Sequence, residues 1–170
     1  GKTTLASEFP NAIFLQFEDG TPAGLELDSF DLLTSYQEGR EALGALHGED
    51  HGFGTVVVDS IDKLEPLVWA EACRRNNWAS IEAPGYGKGY VEADYLWRDF
   101  LAWLLALRRD KGMAIVLLAH SDVMRFDDPQ TQSYSRYVTR LHKRAAAILE
   151  DEMDAILFLN TDVTIEKEDQ

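Results

Sequence analysis

The sequence predicts an α/β domain in which a mostly parallel sheet is flanked by helices, and three observations carry that prediction. Four short apolar runs, residues 12–17, 55–58, 114–119 and 155–159, each end in a polar or acidic residue. They lack the alternation of a half-wet sheet, as strands buried on both faces do. Amphipathic stretches of helical period lie between them. The chain also opens with Gly1-Lys2-Thr3-Thr4, the end of the phosphate-binding pattern G-x-x-x-x-G-K-[ST] that joins a strand to a helix. With 170 residues, 45% of them hydrophobic, residues 1–170 read as a single partial domain with one core.

A phosphate loop works through successive backbone N–H groups and a helix N-terminus that face the phosphates. In such a loop Lys2 neutralises the β- and γ-phosphates, Thr3 ligates Mg²⁺, and Gly1 and Thr4 complete the contact, with Thr4 reaching the α-phosphate. The first five positions of the pattern, and the strand before them, are expected upstream of Gly1. Without that strand the sheet is expected to contain a slot of unpaired edges.

The first run, 12–17, delivers Glu18 and Asp19 to its polar end. Glu18 is the candidate for activating water, although the pair also suits the start of a turn at Asp19-Gly20. A helix is expected over 37–46. The run 55–58 ends in Asp59, the form of a Walker B strand, whose carboxylate holds Mg²⁺ through water or Thr3. Ser60 stands where many P-loop ATPases place a glutamate, so the base must come from elsewhere. Asp62, one turn further on, is a weaker contender that equally suits a helix cap.

A helix over 64–76 holds the single cysteine, Cys73, which excludes an intrachain disulfide and a cysteine metal cluster and fits a reducing cytoplasm. The loop 79–90 contains Gly85-Tyr86-Gly87-Lys88-Gly89-Tyr90, flexible enough to approach a polymer or a neighbouring subunit. The clearest helix covers 91–109, where Leu96, Phe100, Trp103, Leu104 and Leu107 recur at spacings of three and four and Gly112 follows as a stop. The run 114–119 then ends at His120, placed to sense a γ-phosphate or relay its presence onward. A loop over 122–137 and a helix over 138–150, with Leu141, Ala145, Ile148 and Leu149 inward, precede the last run. His47 and His51 with Glu49 and Asp50 are metal-capable, but the flanking glycines make that stretch read as a surface loop.

In a doubly wound layer ligands bind at the carboxyl ends of the strands. Glu18, Asp59, His120 and Asn160 would then converge beside the helix that begins at Lys2. The net charge of −14 argues against a surface that is basic all over. A local strip survives in Arg125, Arg136, Arg140, Lys143 and Arg144, interleaved with Phe126, Tyr134 and Tyr137, as single-stranded nucleic acid requires. The same basic residues also suit a subunit interface, with Lys143 or Arg144 reaching a neighbour's γ-phosphate.

The order GKTT, FEDG, TVVVDSID, GYGKGY, VLLAHS and RLHKRAAAIL resembles the phage-encoded RecA-like P-loop ATP-binding proteins of the single-strand-annealing type, within the AAA-family ATPases. The resemblance runs along nearly the whole chain. It implies a RecA-like core, ATP and Mg²⁺ at the strand ends, single-stranded DNA as partner, and assembly into rings or filaments in a bacterial host cytoplasm. Lys2 and Thr3 match the Walker A end, Glu18 the glutamate after the second strand and Asp59 the Walker B acid. His120 takes the place of a polar sensor that is glutamine in RecA. Two other readings stay open at this point: a small-molecule kinase with an arginine-rich lid over 136–144, and a DNA-annealing scaffold in which nucleotide is structural.

Overall fold

The computed structural model describes residues 1–127 and 132–160. Three parallel strands, β1 (Ala12–Gln16), β3 (Thr55–Asp59) and β4 (Ala114–Leu118), form the sheet, with the two-residue β2 (Asp28–Ser29) outside β1, in the order β2-β1-β3-β4. All five residues of β3 are buried, which is why its sequence is an almost unbroken apolar run. Gln16 pairs with Asp59 and Asp59 with Leu118, so the three strands end level. Residues 18, 60 and 120 therefore leave the sheet at one edge.

The two faces are unequal. Ile13, Leu15, Phe17, Val56 and Val58 point into the larger core, formed with α2 (Tyr36–Gly48), α3 (Ile61–Asn76), α4 (Lys88–Lys111) and α5 (Lys143–Glu150). Phe14, Val57 and Leu118 face the other way, against Ala6 of the short α1 (Lys2–Ser7). The central helix of the larger layer is α4, which buries Leu96, Trp97, Phe100, Leu101, Leu104 and Leu107. It ends at Gly112, whose φ of +68° suits glycine and whose N–H closes on Arg108 and Leu107. At the start of α2, Ser35 and Glu38 cap each other's backbone N–H groups. No helix among the described residues is long and apolar enough to cross a membrane.

Four expectations change. The stretch 122–137 is not simply a loop, because β5 (Ser121–Phe126) and β6 (Tyr134–Thr139) pair as an antiparallel hairpin. The helix expected over 138–150 starts only at Lys143, since Val138 and Thr139 belong to β6 and His142 caps the helix. Residues 155–159 form no strand; Ile156, Leu157, Phe158 and Leu159 are all more than half exposed. Among the described residues β1, β3 and β4 pair contiguously, so the unpaired edge expected in a slot lies on the outer side of β4.

Candidate nucleotide site at the strand ends

Lys2, Thr3, Glu18, Gly20, Asp59 and His120 line one cleft of about 240 Å³ at the carboxyl ends of β1, β3 and β4. The fold brings them there from three strand ends and one helix start. Thr3 Oγ1 donates to Asp59 Oδ2 at 2.8 Å, tying the first turn of α1 to the end of β3. Ser60, fully buried, donates through Oγ to Glu18 Oε1 at 2.7 Å. Thr4 is exposed and lies outside the cleft lining.

Burial pushes the Asp59 carboxyl up; the Thr3 hydroxyl opposes this, while the neighbouring Glu18 charge raises it further and Lys2 lowers it. A buried carboxylate beside a second carboxylate is a site short of positive charge. Two hard oxygen donors, Thr3 Oγ1 and Asp59 Oδ2, face each other there, and the donor chemistry fits Mg²⁺. No group of three or more His, Cys, Asp or Glu that could hold a metal exists among the described residues. Mg²⁺ takes one or two protein oxygens and fills its octahedron with water and phosphate.

Asp62 is not available as a base. Its buried carboxylate accepts the His120 backbone N–H at 3.0 Å through Oδ1 and binds the His120 ring Nδ1 at 2.9 Å through Oδ2. Burial pushes this carboxyl up, but the hydrogen bonds from His120 outweigh it and hold the group below the usual carboxylate range. The pairing places the proton on Nδ1, so His120 can donate to a phosphate oxygen through Nε2 only when the ring carries both protons. Sequence reading missed this pairing and the Ser60–Glu18 bond, since residues 42 and 58 positions apart meet only through the level strand ends.

The basic candidates separate from the cleft, none of them lining it. Arg125 Nε bonds Asp127 at 3.0 Å, Arg140 Nε bonds Asp122 at 2.8 Å, and Arg144 Nε bonds Asp94 at 2.9 Å. The Arg136 guanidinium lies 4.4 Å from the centroid of the Phe126 ring. Lys143 is the first residue of α5. His47 and His51 diverge, one to Asp110 at 2.9 Å and the other to the Leu46 carbonyl at 2.8 Å.

The glycine-rich motif has a local structural task. Gly85, Tyr86 and Gly87 all have positive φ, and a Cβ on Gly89 would sit 1.9 Å from the Ile81 carbonyl oxygen. The turn thereby starts α4 and delivers Tyr90, whose ring stacks on His142 at 4.1 Å.

A family model described as an AAA domain matches residues 1–169. The chain belongs to the AAA domain family. No curated protein and no solved structure matches it. As an AAA domain it has a P-loop NTPase core, and its parallel sheet flanked by helices fits one. The domain implies nucleotide binding, and the cleft gathers a lysine, a hydroxyl and an acid at one sheet edge.

Proposed function

We propose that this AAA domain binds ATP with Mg²⁺ in the cleft, hydrolyses it with Glu18 as general base, and uses the cycle to control a grip on single-stranded DNA. The observation that carries the first part is the single cleft holding Lys2, Thr3, Glu18 and Asp59, with the Thr3–Asp59 and Ser60–Glu18 bonds already made. Thr3 and Asp59 would hold the Mg²⁺, which supplies charge stabilisation at the phosphoryl oxygens. Lys2 neutralises the β- and γ-phosphates. Ser60 fixes Glu18 through Oε1, which leaves Oε2 to accept a proton from water. His120 senses the γ-phosphate from the end of β4.

The DNA part is supported by the hairpin. On one face Phe126 and Tyr134 sit 5.4 Å apart with Arg136 over Phe126, and Met124 lies beside them in register. Val123, Met124, Tyr134 and Tyr137 are exposed. Aromatic faces that stack bases, each worth about 1–3 kcal/mol, together with guanidinium groups that track phosphates, are how single strands are held. The order of motifs along the chain supports a place in phage recombination or repair, and assembly of copies into a ring or filament. A kinase is disfavoured because Arg140 and Arg144, which a phosphate lid would use, are bonded to Asp122 and Asp94.

The test is ATP hydrolysis by a protein carrying a complete phosphate loop before Gly1, with and without single-stranded DNA, and with Lys2→Ala as control. Stimulation by DNA that disappears in Lys2→Ala is expected. Hydrolysis indifferent to DNA would remove the DNA part of the reading, a phosphorylated small-molecule product would replace hydrolysis with a kinase, and DNA binding that survives Lys2→Ala without turnover would leave the scaffold.

A further inference from the structure

Three carboxylates buried on α3, Asp62, Glu65 and Glu71, are left unused by the proposed chemistry, and the first two lie at the start of the helix. Asp62 binds the backbone N–H and ring of His120, as described above. One turn on, Glu65, 7% exposed, accepts the backbone N–H of His142 with both oxygens, at 3.0 and 3.1 Å. His120 and His142 flank the β5–β6 hairpin, whose base is closed by the Arg140 N–H donating to the His120 carbonyl at 2.9 Å. One turn of helix therefore holds both feet of the hairpin. That turn follows directly on Asp59, which lines the cleft, and Ser60, which is bonded to Glu18 of the cleft.

We propose that Glu65, acting with Asp62, is a positioning residue that clamps the hairpin to the first turns of α3, so that the hairpin moves with the cleft; this rests on the nucleotide reading above. The first ground is the cost of placing a carboxylate there. Leu64 and Val68 beside it are fully buried, and a buried charge is often replaced by an apolar residue with no loss of stability. Burial pushes the Glu65 carboxyl up and the Asp62 charge adds to this, while the His142 N–H opposes it. Packing alone gives no reason for Glu65, whereas holding the His142 N–H does.

The second ground is that the far foot cannot slide on its own. The His142 ring stacks flat on Tyr90, 4.1 Å between centroids and 3° between planes, with Trp69 edge-on at 6.4 Å. Its Nδ1 accepts the Arg144 N–H and caps α5. Beyond the feet, the described residues of the hairpin are mostly exposed, and the stack of Phe158 on Tyr137 comes from a segment that is itself exposed. Its orientation is set at its feet. A shift of Asp59 and Ser60 on nucleotide binding would pass through a rigid helical turn to Asp62 and Glu65 together, and from them to His120 and His142.

The test is amide hydrogen exchange over residues 121–142 in a protein carrying a complete phosphate loop, with and without Mg²⁺ and a non-hydrolysable ATP analogue. In the unaltered protein the hairpin amides and the His142 amide should slow together, by about 5-fold or more. Glu65→Leu, which keeps the volume and the apolar packing, should bind the analogue within about 2-fold of the unaltered protein and lose the nucleotide effect on the hairpin. Glu65→Gln, whose amide oxygen still accepts the His142 N–H, should restore much of it. Analogue binding with full protection in Glu65→Leu overturns the clamp, as does protection in the unaltered protein that reaches the hairpin but omits the His142 amide. The second criterion needs no variant, so it holds even if Glu65→Leu fails to fold. Failure of the unaltered protein to bind the analogue overturns the nucleotide reading and the clamp with it.

Discussion

Replacing Asp59 by asparagine should stabilise the nucleotide-free protein while disabling it. Asp59 is 7% exposed, and burial with the nearby Glu18 charge holds its carboxyl above the usual range. A carboxyl with a raised folded pKa binds its proton more tightly when folded, so its ionised form opposes folding at neutral pH and that cost fades as the pH falls through the folded pKa. Asparagine stands in for the neutral form and still offers an oxygen to Thr3 Oγ1, keeping a bond worth about 0.5–1.5 kcal/mol. Relieving frustrated charge at a functional site commonly gains about 0.5–2 kcal/mol. At about 2–4 °C per kcal/mol for a domain of this size, the melting temperature should rise by about 1–8 °C at pH 7.5. The gain should shrink as the pH is lowered toward the carboxylate range. Loss of the metal-facing charge should meanwhile weaken Mg²⁺-dependent nucleotide binding by at least about 10–100-fold. Thermal denaturation without nucleotide at several pH values, alongside titration of a fluorescent ATP analogue with and without Mg²⁺, measures both arms. A variant less stable than the parent at every pH, or one that keeps Mg²⁺-dependent affinity, would refute the reasoning.

Glu18→Gln should keep the Ser60 bond and nucleotide affinity but slow ATP turnover by about 10²–10⁴-fold, read in single-turnover assays. Gly89→Ala should destabilise by about 1–3 kcal/mol or more because its Cβ meets the Ile81 carbonyl, whereas Gly44→Ala, in open space on α2, should stabilise by about 0.5–1 kcal/mol; denaturant midpoints give both signs. Glu71 is buried with Arg74 and Arg75 at 2.7 Å, and those bonds lower its pKa to about 2. Its contribution is therefore full above the unfolded value near 4.5 and is lost as pH falls through about 2, so Glu71→Gln should lower the melting temperature by about 2–4 °C at pH 7 and converge with the parent in acid.

The strands β1 and β3 were legible because burial on both faces leaves an apolar run that any reading of periodicity finds; the half-buried β4 shows the same kind of run, and the polar residue ending each run marked the cleft edge. Thr55 through Val58 needed nothing more than that. The hairpin was not legible for the opposite reason. Both faces of Ser121–Phe126 and Tyr134–Thr139 meet solvent, so neither alternates apolar with polar, and the stretch reads as a loop. Asp62 and Glu65 show their i, i+3 spacing in the sequence, yet nothing there tells that their partners are the N–H groups of His120 and His142. Gly89 is similar: its need for hydrogen in place of a side chain arises from the Ile81 carbonyl, eight residues back across a turn.

Residues 155–159 and the outer edge of β4 make one physical problem. The run has the composition of a buried strand, but Leu157 is 83% exposed and the stretch pairs with no strand among the described residues, while Phe158 stacks on Tyr137 at 4.4 Å. On the sheet, β4 has no strand on its outer side among the described residues and leaves Ala114 exposed, a condition that natural sheets cover. A complete phosphate loop has a strand before it, and α1, which that loop would feed, packs on the β4 side of the sheet through Ala6, Val57 and Leu118. Such a strand, laid along β4, would satisfy that edge and offer a new one. Residues 155–159 are the apolar segment at hand to take it, which would bring Asn160 to the same end of the sheet as Asp59 and His120.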